Sequence, residues 1–241
     1  MQRMAEVRPA VRSAKNVPLL LLARRELQLV GDRRRAAGAQ AYMKSVMPYH
    51  GVTTPLLRAI CKKIFAHLEL PSRRVWREHV LSLWRRAKFR EERYVAIELT
   101  GHKLAKPFQT PAEIPLYEEI IVSGAWWDYV DAAASQRVGP ILRDYPAPMK
   151  KKMLEWSKSE NMWKRRTSII CQLGFKQQTD LDLLYACIEP SLPSREFFLR
   201  KAIGWALRQY AWTDPVEVKR YVRRNRDRLS GLSYREALKN V

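Results

Sequence analysis

Aromatic residues recur at a nearly constant spacing in the second half of this chain. Trp127, Trp163 and Phe198 lie 36 and 35 residues apart, and a serine precedes each of them by four positions. Two basic residues follow each of the last two aromatics at the same offset. A period in the mid-thirties is typical of stacked helical pairs such as HEAT and armadillo repeats, which curve and present a concave face. The repeat therefore predicts an all-α, HEAT-like or armadillo-type solenoid.

The composition agrees with a helical chain. Only 9 glycines occur among 241 residues, and Leu, Ala, Arg, Lys and Glu recur at three- and four-residue intervals, the spacing that helices need. Thr54 and Pro55 suit the N-cap and the first position of a helix. We therefore predict a helix that starts there. A hydrophobic fraction of 46% excludes disorder for the bulk of the chain.

The charge predicts a polyanionic partner. The chain has 45 Lys and Arg against 24 Asp and Glu, a formal net charge of +21. This excess is larger than solubility requires. If the basic residues recur at the same place in each repeat, stacking brings them to one side as a basic groove that can meet phosphates. The alternative, a charged face that is only solvated, remains open.

The N-terminal residues 1–37 differ from the rest. They are basic and less regular, with prolines at positions 9 and 18 and the run Arg33-Arg34-Arg35. We predict a basic arm or an extra helix over residues 1–37, followed by a single HEAT-like repeat domain over 38–241. A solvated tail and a misassigned start codon are alternatives.

Missing motifs exclude several classes of chemistry. Cys61, Cys171 and Cys187 form no Cys-x-x-Cys pair, and the chain has no His/Cys metal motif, phosphate-binding glycine loop or nucleophile elbow. We expect no metal and no small-molecule cofactor. The most apolar run, residues 17–23, is too short to cross a bilayer. This predicts no membrane association and a reducing cytoplasmic compartment, where a DNA-binding protein would meet the nucleoid.

The segment from Trp126 to Asp131, with the sequence WWDYVD, is the most unusual in the chain. Helical spacing places Trp127 and Asp131 on one face and turns Trp126 about 100° away. One interpretation is that both tryptophans pack in the core and the aspartates cap a helix or form ion pairs, which suits Trp126 best. An acidic group on a surface that attracts phosphate requires a cation nearby.

Trp205 lies in a second predicted helix, four residues after Lys201 and three before Arg208. Gly204 precedes it, and a glycine inside a helix costs about 1 kcal/mol relative to Ala. This indicates close packing or a ligand near the backbone. Trp205 either flanks a groove or fills the core, and both interpretations remain open.

These features together resemble the AlkD-type DNA alkylation repair glycosylases, which are made of HEAT-like repeats. The resemblance runs from about residue 40 to the C-terminus. Besides WWDYVD, it is carried by Ala41-Tyr42-Met43-Lys44, Gly51-Val52-Thr53-Thr54-Pro55 with Arg58, Asn161-x-Trp163-x-x-Arg166, and Glu196-Phe197-Phe198 through Ile203-Gly204-Trp205-x-x-Arg208.

The resemblance implies a monofunctional DNA glycosylase. Its substrates would be cationic alkylated purines in duplex DNA, typified by N7-methylguanine and N3-methyladenine. It would hydrolyse the N-glycosidic bond and leave an abasic site, without a pocket that encloses the lesion. A non-catalytic HEAT-repeat protein that binds damaged or branched DNA is the alternative, and a protein-binding scaffold is a third possibility.

The resemblance also implies roles for particular residues. Asp131 would be the catalytic carboxylate, and Trp127 and Trp205 would line a cleft against the deoxyribose. Arg166 would support the DNA backbone nearby. These types of residue suit the chemistry, because a sugar that loses a cationic base becomes an oxocarbenium, which a carboxylate and aromatic faces stabilise.

Six further residues are predicted to contact DNA. The resemblance implies that Tyr42 lies toward the DNA and that Thr54 and Arg58 meet phosphate at a helix start. The basic residues of the last repeats add Arg165, Lys201 and Arg208. The N-terminal arm would add non-specific affinity. We expect the protein to act as a monomer.

Overall fold

The structure is a computed structural model that describes residues 18–241, and no strand occurs in this part of the chain. The all-α prediction is confirmed. Fourteen α-helices occupy the described residues, with these bounds: α1 Leu19–Leu29, α2 Arg33–Met43, α3 Thr54–Ile64, α4 Arg73–Arg85, α5 Arg90–Thr100, α6 Ile114–Gly124, α7 Trp127–Ala133, α8 Gly139–Asp144, α9 Pro146–Ser157, α10 Met162–Ile170, α11 Leu181–Ile188, α12 Phe197–Ala211, α13 Pro215–Arg224 and α14 Gly231–Ala237.

The chain divides into two compact units. The first comprises the described residues up to 69 together with 78–96, and the second comprises 70–77 and 97–241. The predicted boundary between residues 37 and 38 falls within α2, and α1 lies in the segment predicted as an arm or an extra helix. Residues 1–17, which hold much of the predicted arm, lie outside the described residues. The predicted division into arm and repeat domain stays a prediction.

In the first unit, α1 packs against α3. Apolar side chains three and four residues apart form the buried faces, with Leu20 and Leu27 on α1 and Leu57 and Ile60 on α3. The helix predicted near Thr54 is present. Its N-cap is Thr53 rather than Thr54, and this side chain makes no capping hydrogen bond. Pro55 is therefore the second residue of α3 rather than the first, a shift of one position that is common at helix ends.

Two adjacent buried carboxylates on α5 organise the loop before α3. Glu91 accepts hydrogen bonds from three consecutive backbone N–H groups, those of residues 50–52, at 2.9, 2.8 and 3.1 Å. Gly51 in this loop has a φ of +81°, and a Cβ there would lie 2.1 Å from the Asp32 carbonyl oxygen. Glycine is therefore required at this position. Glu91 therefore holds the loop before α3 through the backbone N–H groups of that loop.

Glu92, the second carboxylate, is fully buried and accepts two hydrogen bonds from Arg24, at 2.7 and 2.9 Å. Burial would raise the pKa of Glu92, but bonds from Arg24, His50 and the Lys88 N–H outweigh it and lower the pKa to about 2. The ordinary value of 4.5 holds in the unfolded chain. The ionised pair therefore stabilises the fold fully above pH 4.5, and this stabilisation is lost as the pH falls through about 2.

We expect Glu92→Gln to lower the free energy of unfolding by about 3 kcal/mol at pH 7, because Arg24 would keep its charge without a carboxylate. Urea denaturation at pH 7 and pH 3 measures this. The difference between wild type and variant should be smaller at pH 3, where part of the gain from ionising Glu92 has been lost. A difference that is equal at both pH values would contradict the assignment.

In the second unit, α12 and α14 approach closely at Gly204. A Cβ on Gly204 would lie 2.4 Å from the Glu236 Cβ and 3.0 Å from the Ser233 carbonyl oxygen. The Ser233 hydroxyl also donates to the Arg200 carbonyl at 2.9 Å. Close helix packing therefore explains the glycine inside this helix. Apolar residues of α10 to α14 surround the contact and form a continuous core.

The three cysteines, Cys61, Cys171 and Cys187, are buried and form no disulfide. Among residues 18–241, no group of three His, Cys, Asp or Glu side chains is arranged to hold a metal ion. No helix in the same range is long and apolar enough to span a membrane.

Candidate active site

Three aromatic rings hold together the first turns of α7, α10 and α12, the helices that carry the site. Trp163 and Phe198 are the second residues of α10 and α12, and their ring centroids are 5.0 Å apart. Trp126, the N-cap of α7, lies 5.5 Å from Phe198 and 6.4 Å from Trp163. The repeat aligned Trp127 with this pair, but Trp126 occupies the cluster. Trp126 is partly buried in this cluster and is not one of the fully buried core residues.

Side-chain hydrogen bonds form at the residues that precede α10 and α12. Asn161 Oδ1 accepts hydrogen bonds from the N–H groups of Trp163 and Lys164, at 3.0 and 3.2 Å, and so caps α10. Two of the three serines of the repeat form a local turn just before a helix, since Ser159 and Ser194 each accept at 3.2 Å from the N–H of the N-cap residue two positions later. The N-cap of α12 itself makes no side-chain capping bond.

Asp131 lies on α7, one turn after Trp127 and on the same face. Its side chain is 15% exposed, so it is largely buried but open to solvent on one side. The Ser135 hydroxyl donates to the Asp131 carbonyl at 2.7 Å. A π-helical turn, Ala134–Val138, follows α7 directly. Such turns occur frequently at functional sites.

Arg166 binds the Asp131 carboxylate with two parallel hydrogen bonds. Arg166 Nε donates to Oδ1 at 2.7 Å, and Nη2 donates to Oδ2 at 2.8 Å. Nη1 donates to the Phe198 carbonyl at 2.6 Å. Arg166 is only 3% exposed. The cation that the carboxylate requires is therefore Arg166, which is fixed between α7 and α12.

Trp205 joins this group through Arg166. The guanidinium carbon of Arg166 lies 6.0 Å from the centroid of the Trp205 ring and 5.9 Å from that of Phe198. Trp205 is partly buried and packs against the core of the second unit. The structure thus brings together Asp131, Arg166 and Trp205. They come from three different helices, which makes the arrangement a product of tertiary packing.

Burial raises the pKa of Asp131 above its usual range. The two bonds from Arg166 and its charge act in the opposite direction, and the negative charge of Asp128 adds to the rise. A carboxylate that is poorly solvated and has one open side attracts a cation more strongly than one in bulk water. The site can therefore stabilise positive charge that develops beside Asp131.

The other predicted DNA contacts lie in two places. Tyr42 is 77% exposed on α2, and Thr54 and Arg58 are exposed on α3, all three in the first unit. In the second unit, Arg165 donates to the Ser191 hydroxyl at 3.2 Å and to the Pro190 carbonyl at 3.1 Å. Their contacts with DNA stay predictions.

Lys201 and Arg208 share a partner that the sequence analysis missed. Both side chains contact the carboxylate of Glu236 on α14, at 3.0 and 2.6 Å. The repeat spacing is the signal that could have found it, because Glu236 follows Lys201 by 35 residues, as Arg166 follows Asp131.

Comparison with known proteins shows the family of the chain. The family model described as DNA alkylation repair enzyme matches residues 23–241. The chain belongs to this family. Membership supports a role in alkylation repair with DNA as the substrate.

A solved structure supports the same relation. The chain is similar to a protein from Enterococcus faecalis described as a predicted DNA alkylation repair enzyme, with 29% sequence identity and a TM-score of 0.72. The match covers 87% of this chain and 95% of the other. A search of curated proteins found no match.

Proposed function

We propose that this member of the alkylation repair family is a monofunctional DNA glycosylase. It excises cationic N-alkylated purines, of the N7-methylguanine and N3-methyladenine type, from duplex DNA and leaves an abasic site. The observation that carries the proposal is the Asp131 carboxylate, held by two bonds from Arg166 at a partly open position beside aromatic residues. A carboxylate in this setting suits a reaction whose transition state is a cation.

The alkylated base needs no general acid to leave. N-alkylation gives the purine a positive charge, so the base takes the electrons of the C1′–N bond and departs neutral. The sugar becomes an oxocarbenium, and a water molecule then adds to C1′ and gives up a proton. Asp131 stabilises the sugar cation electrostatically and orients the water. One carboxylate, Asp131, is therefore enough for the reaction.

The tryptophans supply the remaining stabilisation of the sugar. Trp127 lies on the Asp131 face of α7, and Trp205 lies beside Arg166. Aromatic faces attract cations, so rings placed against the deoxyribose favour the transition state over the neutral sugar. Arg166 acts through Asp131, because its buried guanidinium orients the carboxylate. Trp127 and Trp205 are catalytic residues in this proposal, and Arg166 is a positioning residue.

Selectivity then depends on how labile the glycosidic bond is. The protein grips the DNA backbone and reads no base edge, so a neutral purine stays in place because its bond is too stable. The proposed backbone contacts are Tyr42, Thr54, Arg58, Arg165, Lys201 and Arg208. The concave basic groove that the repeat predicts stays a prediction.

Release of the free base tests the proposal. The protein is incubated with a duplex that contains one N7-methylguanine, the free base is measured by chromatography, and the abasic site is detected by cleavage with an abasic-site endonuclease at neutral pH, with a protein-free duplex as the blank. We expect equal amounts of both products from the alkylated duplex and none from the same duplex with guanine. Tight binding of the alkylated duplex without base release would support the non-catalytic alternative instead.

The release rate should depend on pH in a defined direction. The carboxylate becomes neutral as the pH falls, and because burial raises the pKa of Asp131, the acid limb of the rate should have its midpoint above that of an ordinary aspartate. Asp128→Asn should move this midpoint to lower pH, since the charge of Asp128 raises the pKa of Asp131. Spontaneous base loss is subtracted with a protein-free duplex. A rate that stays constant from neutral pH to pH 4 would contradict the role of Asp131.

A further inference from the structure

A buried acidic side chain on the last helix connects two cations of α12. Glu236 lies on α14, and its side chain is 5% exposed. Glu236 Oε1 lies 3.0 Å from Lys201 Nζ, and Oε2 accepts a hydrogen bond of 2.6 Å from Arg208 Nη1. Lys239 Nζ also contacts Oε1, at 2.5 Å. One carboxylate therefore orients three cations.

Two of these cations flank Trp205. Lys201 precedes Trp205 by four residues and Arg208 follows it by three, so the three side chains share one face of α12. The side chains of Lys201 and Arg208 are 37% and 26% exposed, so both reach solvent. The Trp205 ring lies 6.0 Å from the guanidinium of Arg166, which holds Asp131. Lys201 and Arg208 therefore lie next to the candidate active site, on the helix face that carries Trp205.

Glu236 occupies the same register as the site residues. Positions 131, 166, 201 and 236 are each 35 residues apart. Asp131 pairs with Arg166 and Lys201 pairs with Glu236, so one position of the repeat carries two successive ion pairs. Gly204 permits the pair of Lys201 with Glu236, because the Glu236 Cβ occupies the space that a side chain at position 204 would need.

We propose that Glu236 is a positioning residue that holds Lys201 and Arg208 on both sides of Trp205 as a clamp for DNA phosphates beside the reacting sugar. The inference rests on the proposed function. Three cations around one carboxylate leave a net positive charge, which attracts phosphate. Long side chains that are already oriented also lose less conformational entropy on binding than free ones. The hydrogen bond from Lys239 and the contacts with Lys201 and Arg208 lower the pKa of Glu236 to about 2, so it is ionised at neutral pH.

Glu236→Gln separates positioning from simple charge. The substitution removes a negative charge, so charge alone predicts tighter DNA binding, whereas loss of positioning predicts weaker binding. The probe is a duplex with a tetrahydrofuran abasic analogue, which cannot react. We expect the Kd to rise about tenfold, the effect of ordering two free side chains on binding. Glu189→Gln is the matched control, because it makes the same charge change at the exposed pair with Arg228 and should not weaken binding.

Lys201→Met gives a second measurement. Made in the wild-type protein, this substitution should weaken binding of the abasic-analogue duplex. Made in the Glu236→Gln variant, it should have a smaller effect, because the lysine is no longer held there. Equal effects in both backgrounds would overturn the proposal, and so would unchanged or tighter binding by Glu236→Gln.

Two controls keep the outcome clear. If Glu236→Gln does not fold, as thermal melting would show, Glu236→Asp replaces it with the same expectations, because the shorter side chain keeps the charge but withdraws the carboxylate. The analogue measures binding without chemistry. A protein that fails to release alkylated base would therefore refute the proposed function alone, and the binding comparison would still decide the role of Glu236.

Discussion

Asp131→Asn is expected to lower the rate of N7-methylguanine release by about a hundredfold to a thousandfold, the usual effect of removing one aligned electrostatic group. The amide has nearly the same shape but no charge, so the sugar cation loses its counter-charge. DNA affinity should not fall, because the carboxylate makes no favourable contact with phosphate. Single-turnover release and binding of the abasic-analogue duplex measure the two quantities separately.

Asp128→Asn is the matched control for this substitution. It removes the same charge from the same helix, one turn before Asp131, and should leave release at neutral pH close to the wild-type rate. Folding of the Asp131→Asn variant is also checked by circular dichroism, because Arg166 loses its ionic partner. Equal release by wild type and Asp131→Asn would refute the assignment of the catalytic carboxylate.

Arg166→Lys is expected to lower the release rate by about tenfold to a hundredfold while the Kd for DNA changes little. Lysine keeps the positive charge but cannot make two parallel bonds to Asp131 or bond the Phe198 carbonyl at the same time. The carboxylate would therefore lose its fixed orientation, which costs rate of this order.

The same experiment distinguishes two roles for Arg166. If Arg166 contacted the DNA backbone, as the family resemblance implies, Arg166→Leu would weaken binding and reduce the slope of log Kd against log salt by about one. The structure instead predicts that Arg166→Leu loses rate without a change in salt dependence, because the buried guanidinium pairs with Asp131. Arg165→Lys is the matched control, since Arg165 is the neighbouring residue and bonds Ser191 and the Pro190 carbonyl.

Much of the fold followed from local patterns. Helical spacing predicted an all-α chain, Pro55 marked the start of α3, and Gly204 indicated close packing, because each of these signals depends only on neighbouring residues. The sequence did not predict that the chain divides into two units, since that depends on which helices meet. The spacing also aligned Trp127 with Trp163 and Phe198, whereas Trp126 packs against them in the structure, because a spacing pattern cannot separate adjacent residues at the start of a helix.

The candidate site was predictable as a set of residues but not as a set of contacts. The resemblance named Asp131, Trp127, Trp205 and Arg166, and the structure brings Asp131, Arg166 and Trp205 together. It did not predict that Arg166 faces Asp131 rather than solvent, or that Glu236 holds Lys201 and Arg208. Such pairings depend on side chains one repeat apart coming into register when helices stack, and a basic residue looks the same in the sequence whether it meets a phosphate or a carboxylate.

The central claim is that Asp131 stabilises positive charge on the sugar, and binding of a charged sugar mimic tests it most directly. Two duplexes are compared, one with a tetrahydrofuran abasic analogue and one with a pyrrolidine analogue that carries a positive charge in the ring. Wild type should bind the cationic analogue at least about tenfold more tightly, and Asp131→Asn should lose this preference. An equal preference in wild type and variant would contradict the account.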